Sequence, residues 1–280
     1  MDDAHDKSEM DRIKKELIAS VFARAASNYE RIKYFWPLGQ LLVKKATISA
    51  GSKVLDIACG RGAVLFPAAE AVGPTGSVVG VDISAPMAEQ TESEIGRRGL
   101  LNAHARQMDA EHLDFPDATF DCVLCGFALG FFPRLEHALD EFVRVLQPGG
   151  RLAASTWGDE DPSWNWYGEM CKAYGIGVKM MTQNLDTPNE IQAALRGAGF
   201  TGIEISTETY DMVYADEEEW WMMRWSISGR ATLEQMEPEA LARFKAEAFE
   251  RMQAIKQPDG FHDQLEAHFA IATKPLSIGG

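Results

Sequence analysis

The chain has 280 residues, 46% of them hydrophobic and 25% charged, enough to bury the core of one large α/β domain without disulfide or metal staples. Its formal net charge of −15 creates an average field that repels a phosphate backbone and disfavours a nucleic-acid partner; Lys44-Lys45 and Arg97-Arg98 are too short to form a basic patch. No apolar run approaches the roughly 20 residues of a membrane span, and the polar start MDDAHDKSEM is unlike a signal peptide, so no membrane partner is expected and the cytoplasm is the expected compartment.

Residues 1–10 are charged and expected to be mobile. Over 11–48, Ile13, Leu17, Ile18, Val21 and Phe22 recur at helical spacing, and a second helical segment, Leu38 to Ala46, follows the break at Pro37. SKVLDIACG then reads as a buried parallel strand running into a glycine turn. A helix over 63–71 takes Pro67 in its first turns. SVVGVD (77–82) is the second strand, 85–98 a helix, 104–107 a short strand and FDCVLCGF (120–127) another buried strand. Cys122 and Cys125 form a C-x-x-C pair within that strand, where residues three apart face opposite ways. The four cysteines therefore read as buried reduced thiols, not as a metal site.

A helix over 135–146 carries Leu135, Leu139, Phe142, Val143 and Leu146 on one face; Pro148-Gly149-Gly150 should end it, and 151–156 is the fifth strand. The aromatic stretch DPSWNWYGEMCKAYG is expected to be partly helical. LDTPNEIQAALRGAGF is a helix with Thr187 as N-cap, Pro188 at its first position and Glu190 closing a capping box. IEISTETY is a strand, 216–257 reads as helices, and HFAIATKP (268–275) as a final strand. Strand–helix alternation at this rhythm predicts an α/β fold, a doubly wound, mostly parallel sheet with helices on both faces.

Ligands in such sheets bind beyond the carboxyl ends of the strands, which points to the segments after Asp56, Asp82, Gln107, Cys125 and Thr156. VLDIACGRG supplies Ala58, Gly60 and Gly62 where a backbone must approach a ligand closely. It departs from a nicotinamide-binding G-x-G-x-x-G, because Leu65 stands at the third glycine position. A carboxylate at Asp56 would repel a pyrophosphate but suits an ammonium. Asp82, ending the second strand, can accept both hydroxyls of a ribose, with Ile83 against an adenine face. Met108-Asp109-Ala110 follows the third strand, where a carboxylate can accept from an exocyclic amine. Ribose, adenine and ammonium without a phosphate cradle describe an adenosyl amino acid. The structural alternative is that Asp56, Asp82 and Asp109 merely cap helices or turns.

These motifs resemble the class I S-adenosylmethionine-dependent methyltransferases, and most nearly the small-molecule group that includes the ubiquinone/menaquinone-biosynthesis C-methyltransferases. VLDIACGRG is similar to that family's glycine loop, VDIS to its ribose loop, MDAEHLDFPDATFD to its adenine loop and fourth strand, and HALDEFVRVLQPGG to the helix and turn before strand five; the resemblance runs from about 21 to 157. It implies strand order 3-2-1-4-5-7-6 with strand seven antiparallel. It also implies N-terminal helices covering the site over 1–48 and a Rossmann-like core over 49–215 and 266–280, while the helical stretch that interrupts the sheet between its last two strands must sit outside it, as a cap insertion over 216–265. The implied cofactor is S-adenosyl-L-methionine, yielding S-adenosyl-L-homocysteine, with Met87, Cys125 and Tyr29 added to the cofactor contacts. Ala58 replaces the loop's first glycine, and the stretch after strand four, FALGFFP, lacks the histidine of many relatives.

Methyl transfer needs a base only where the nucleophile arrives protonated. Tyr29, Tyr34 and His262 are the candidates, none compelling. Phe127, Phe131, Trp157 and Trp225 are the expected lining for a flat or hydrophobic small-molecule acceptor, although aromatic stripes more often pack a core. The expected function is methylation of such an acceptor, with secondary metabolism as the setting and homo-oligomerisation left open. The alternatives are a peptide or protein methyltransferase, a non-catalytic S-adenosylmethionine-binding partner subunit, and a nicotinamide oxidoreductase.

Overall fold

In the computed structural model, residues 2–29, 32–177, 182–227 and 229–276 are described, with side chains from Ser8 onward. Seven strands form one sheet in the order β3-β2-β1-β4-β5-β7-β6: β1 (Lys53–Ile57), β2 (Ser77–Asp82), β3 (Ala103–Gln107), β4 (Phe120–Gly126), β5 (Leu146–Trp157), β6 (Thr201–Tyr214) and β7 (Phe261–Thr273). The first five pair in parallel, while β7 runs antiparallel to both β5 and β6. The central strands are apolar on both sides because helices cover both faces. On one face Val54, Cys122 and Leu124 pack under α2 (Phe35–Ala46), α3 (Leu65–Val72) and α4 (Ala85–Arg98). On the other, Leu55, Ile57, Val123 and Cys125 pack under α5 (Leu135–Val145) and α7 (Pro188–Gly197). Cys122 and Cys125 thus point to opposite faces, and all four cysteines are buried and unpaired.

Four elements differ from expectation. Helix α1 (Asp2–Ala25) starts nine residues before the helical spacing read from residue 11. Helix α2 begins at Phe35 and takes Pro37 into its first turn, where the missing N–H has no helical partner to lose. Helix α5 ends at Val145, ahead of Pro148-Gly149-Gly150, and β5 starts at Leu146 and absorbs that turn where its register against β4 shifts, between Phe120 and Cys122. Finally, β7 starts at Phe261, seven residues before the strand expected from 268. Helix α7 forms as read, with the Thr187–Glu190 capping box present in both directions.

The last two strands are long. They pair from Thr201↔Thr273 to Tyr214↔Phe261, so their far ends run past Trp157, where β5 stops. Between them the chain forms α8 (Glu217–Ser226), α9 (Arg230–Leu233) and α10 (Pro238–Met252). Helix α6 (Asn165–Ala173) joins this group through a shared aromatic cluster in which Trp164 stacks on Trp220 at 5.6 Å. Helix α1 packs on α4 and α9, laying Ile18 and Val21 against Ala231. No helix among the described residues is long and apolar enough to cross a membrane.

Candidate active site

Beyond the carboxyl ends of β1, β2, β3 and β4, under α1 and the start of α2, lies a cleft with about 1040 Å³ of empty space, its mouth included. The loop after β1 sets its floor. Ala58 (φ 52°) and Gly60 (φ 50°) are both left-handed, so the family's first loop glycine has a backbone reason, and Ala58 bears about 1–2 kcal/mol of strain that a glycine would not. Gly62 (φ 83°) turns the chain into α3 and stands outside the cleft wall, where an added Cβ would meet the Phe66 ring at 2.4 Å.

Asp82 straps this loop to β2. Its Oδ2 accepts from the Gly60 N–H at 2.9 Å and its Oδ1 from the Ser84 N–H at 2.8 Å, while the Thr91 hydroxyl donates to the Gly60 carbonyl at 2.7 Å. Asp82 therefore does the local work of the structural alternative and still lines the cleft, because each carboxylate oxygen keeps a second acceptor position. Burial pushes its carboxyl up to about 6, against the pull of those two N–H groups. Asp56 is 1% exposed, and neither of its oxygens has a hydrogen-bond partner. Burial first, and the Asp82 charge second, hold its carboxyl well above the usual range. It lines a recess that shares Tyr29, Phe35, Ala58, Gly60 and Phe127 with the main cleft. An unpaired buried carboxylate in such a recess fits a cationic ligand group.

Ile83, Met87, Met108, Asp109 and Ala110 line the same cleft. Asp109 Oδ1 accepts from the Glu111 N–H at 3.0 Å, and its Oδ2 from Lys15 Nζ at 2.7 Å. Lys15 also reaches Glu111 Oε2 at 2.6 Å, and Arg134 Nε donates to that oxygen at 3.0 Å. The sequence reading missed Lys15, Glu111 and Arg134. Their charges meet across 94 and 23 residues, so no local spacing announces them.

The rest of the cleft is aromatic. Phe127, left-handed at φ 57° just past β4, stacks on Trp157 with ring centroids 4.0 Å apart. Tyr34 meets Trp157 edge-on at 5.5 Å, Tyr29 stacks on Phe35 at 5.3 Å, and Phe131 meets Phe22 at 5.5 Å. Burial raises both tyrosine hydroxyls above their ordinary value, so they remain protonated at neutral pH. Besides Gly62, three expected site residues lie elsewhere. His262 is bonded between Asp211 (2.8 Å) and Asp259 (3.1 Å) on the outer side of the β6–β7 extension. Trp225 turns its ring toward Trp221 and the Arg230 guanidinium. Cys125 faces the α5 side of the sheet and is fully buried.

The fold and the cleft define a class: a doubly wound sheet of order 3-2-1-4-5-7-6 with acidic groups at the tips of its first two strands and an aromatic pocket beside them. The methyltransferase-domain family matches residues 54–150. Nocamycin O-methyltransferase of Saccharothrix syringae is 31% identical over 245 residues, 81% of this chain and 88% of that protein. Aklanonic acid methyltransferase of Streptomyces sp. (strain C5) is 41% identical over 141 residues, half of this chain and 64% of that enzyme, so the match spans less than two thirds of it. Enzymes named ubiquinone/menaquinone biosynthesis C-methyltransferases match over half of this chain as well. In fold, the YcgJ protein of Bacillus subtilis superposes with a TM-score of 0.58 at 22% identity, covering 84% of this chain and 97% of its own. The chain belongs to the S-adenosylmethionine-dependent methyltransferases of the class I fold.

Proposed function

We propose that the protein transfers a methyl group from S-adenosylmethionine to a small, hydrophobic or aromatic acceptor held against the Phe127–Trp157 stack. The observation that carries this reading is the division of the cleft: carboxylates at one end, and rings of Tyr34, Phe35, Phe127, Phe131 and Trp157 at the other. Asp56 would hold the amino-acid ammonium of the cofactor, Asp82 the ribose hydroxyls, and Asp109 the adenine amine, with Ile83 and Met87 along the base. The cofactor supplies an electrophilic methyl on a sulfonium; the S–CH₃ bond breaks with its electron pair left on sulfur as the acceptor–CH₃ bond forms. The chain's contribution is alignment in a dry pocket, an effect that can reach about 7–11 kcal/mol.

Apart from the carboxylates given to the cofactor, the side chains in the cleft are poorly suited to take a proton from the acceptor. Tyr29 and Tyr34 hold theirs, and Asp109 and Glu111 are committed to Lys15 and Arg134. The acceptor that suits this cleft is one that arrives ionised or already nucleophilic. Calorimetry with S-adenosylhomocysteine, followed by incubation with methyl-labelled donor and a cell extract, tests the reading. One-to-one binding and label in a small solvent-extractable product are expected. Absence of binding, or label confined to protein, overturns it.

A further inference from the structure

Among the described residues Lys15 is the one lysine that lines the cleft, and the reaction as proposed leaves it without a task. It sits on α1 with Ile18 and Phe22, at spacings of three and four residues that define one helical face, and all three line the cleft. Its Nζ lies 2.7 Å from Asp109 Oδ2 and 2.6 Å from Glu111 Oε2. Two carboxylates therefore share one ammonium at the end of the cleft that Ile83 and Met87 also line. The two are held unequally. Glu111 has a fully buried side chain and accepts from both the backbone N–H and the Nε of Arg134, at 2.9 and 3.0 Å. Asp109 keeps part of its side chain exposed, and its other oxygen accepts from the Glu111 N–H at 3.0 Å.

The plain alternative is that Lys15 fastens α1 to the body of the protein. Yet α1 is already fastened near its far end: Arg24 pairs with Glu234 at 2.6 Å, Ile18 and Val21 pack on Ala231, and Arg61 donates to the Ala26 carbonyl at 2.8 Å. What only Lys15 does is stand between two like charges. Without its ammonium the Asp109 and Glu111 carboxylates repel one another across the gap it fills. Glu111 is pinned by Arg134, so Asp109 is the one that turns away toward water. We infer that Lys15 is a positioning residue for cofactor recognition: it holds the Asp109 carboxylate on the exocyclic amine of the adenine, so that α1 completes the base-reading end of the site. Each Asp109 oxygen keeps a second acceptor position beside the bond it already accepts, so Lys15 orients the group without using up its capacity. The inference rests on the methyltransferase reading and on Asp109 as the acceptor for that amine.

The test compares two ligands on the full chain by calorimetry at neutral pH: S-adenosylhomocysteine, and its purine-riboside analogue in which hydrogen replaces the 6-amino group. A hydrogen bond to a charged carboxylate predicts that the wild type binds the amine-bearing ligand about tenfold or more tightly. Lys15→Met should bring that ratio to within about threefold of one, and Lys15→Arg, which can still bridge both carboxylates, should restore part of it. A lysine that merely fastened α1 would weaken both ligands alike on removal and leave the ratio as it was. An unchanged ratio in Lys15→Met therefore overturns the inference, as does a wild-type ratio near one. Should the methionine variant not fold, Lys15→Gln, polar but uncharged, is judged by the same ratio. Failure of S-adenosylhomocysteine to bind the wild type is a different result and removes the methyltransferase reading beneath the inference.

Discussion

Replacing Asp82 with asparagine probes the cofactor end of the cleft most directly. The carboxyl is 8% exposed and its pKa lies at about 6, against a usual 3.8, a difference that corresponds to about 3 kcal/mol against ionisation. Between those two values the folded protein binds a proton that the unfolded chain has released. This contribution to stability is therefore present at low pH and is lost as pH rises through 6. Ligand binding should run the other way, because only the ionised carboxylate can accept from two ribose hydroxyls while still holding Gly60 and Ser84. S-adenosylhomocysteine affinity should be flat above pH ~7 and fall about tenfold per unit below ~6. At neutral pH, Asp82→Asn should weaken binding by about 1.5–3 kcal/mol, the worth of a hydrogen bond to a charged group. It should also remove the wild type's loss of stability across that window. Calorimetry at several pH values, with urea melts alongside, measures both effects. A wild-type affinity indifferent to pH, together with an asparagine variant within about twofold of it, would leave Asp82 as no more than a loop strap.

Asp56→Asn should separate stability from binding. Because burial already disfavours ionisation of Asp56 in the free protein, the amide should change stability by about 1 kcal/mol or less, while S-adenosylhomocysteine, whose ammonium draws on the ionised carboxylate, binds at least about tenfold more weakly; an unchanged affinity speaks against Asp56 as the partner of the ammonium. Gly39→Ala places a Cβ 2.2 Å from the Ala63 carbonyl oxygen, a clash with backbone rather than with a yielding side chain. It should cost about 1–3 kcal/mol in denaturant unfolding, and an unchanged midpoint refutes so close a contact between α2 and the loop before α3.

The parts of this fold legible in the sequence are those whose signals are local. SVVGVD and the helix after it have the residue bounds read from pattern alone, because a buried strand, a cap position and Gly99 in a left-handed C-cap lie within a single stretch. Thr187 and Glu190 announce α7 for the same reason. Expectation fails where the deciding partner is distant. Nothing near Leu146 reveals that β4 will hold it in the sheet through a Pro-Gly-Gly turn, since that pairing depends on Phe120. Position along the chain points Trp225 and His262 toward the pocket. Which side of α8 and β7 faces the cleft is set by packing with α6 and β6, and those contacts turn both side chains away. Lys15 illustrates the converse case, an ordinary surface lysine in sequence that three-dimensional proximity makes part of the adenine end.

The cofactor end of the cleft carries a deficit that the fold by itself does not relieve. At the β1 tip the Asp56 carboxyl is buried with no close hydrogen-bond donor, and only the pull of the Leu65 backbone N–H opposes the effect of burial. Folding must carry that desolvation cost unless a group from outside matches it, and a cationic ligand group does. A positively charged methyl donor drawn to that end is held in a medium that screens weakly, which strengthens its attraction for a nucleophile at the aromatic end. The overall charge of −15 is no guide to this arrangement. A ligand in the cleft meets the local field of Asp56 and Asp82, not the average field of the surface.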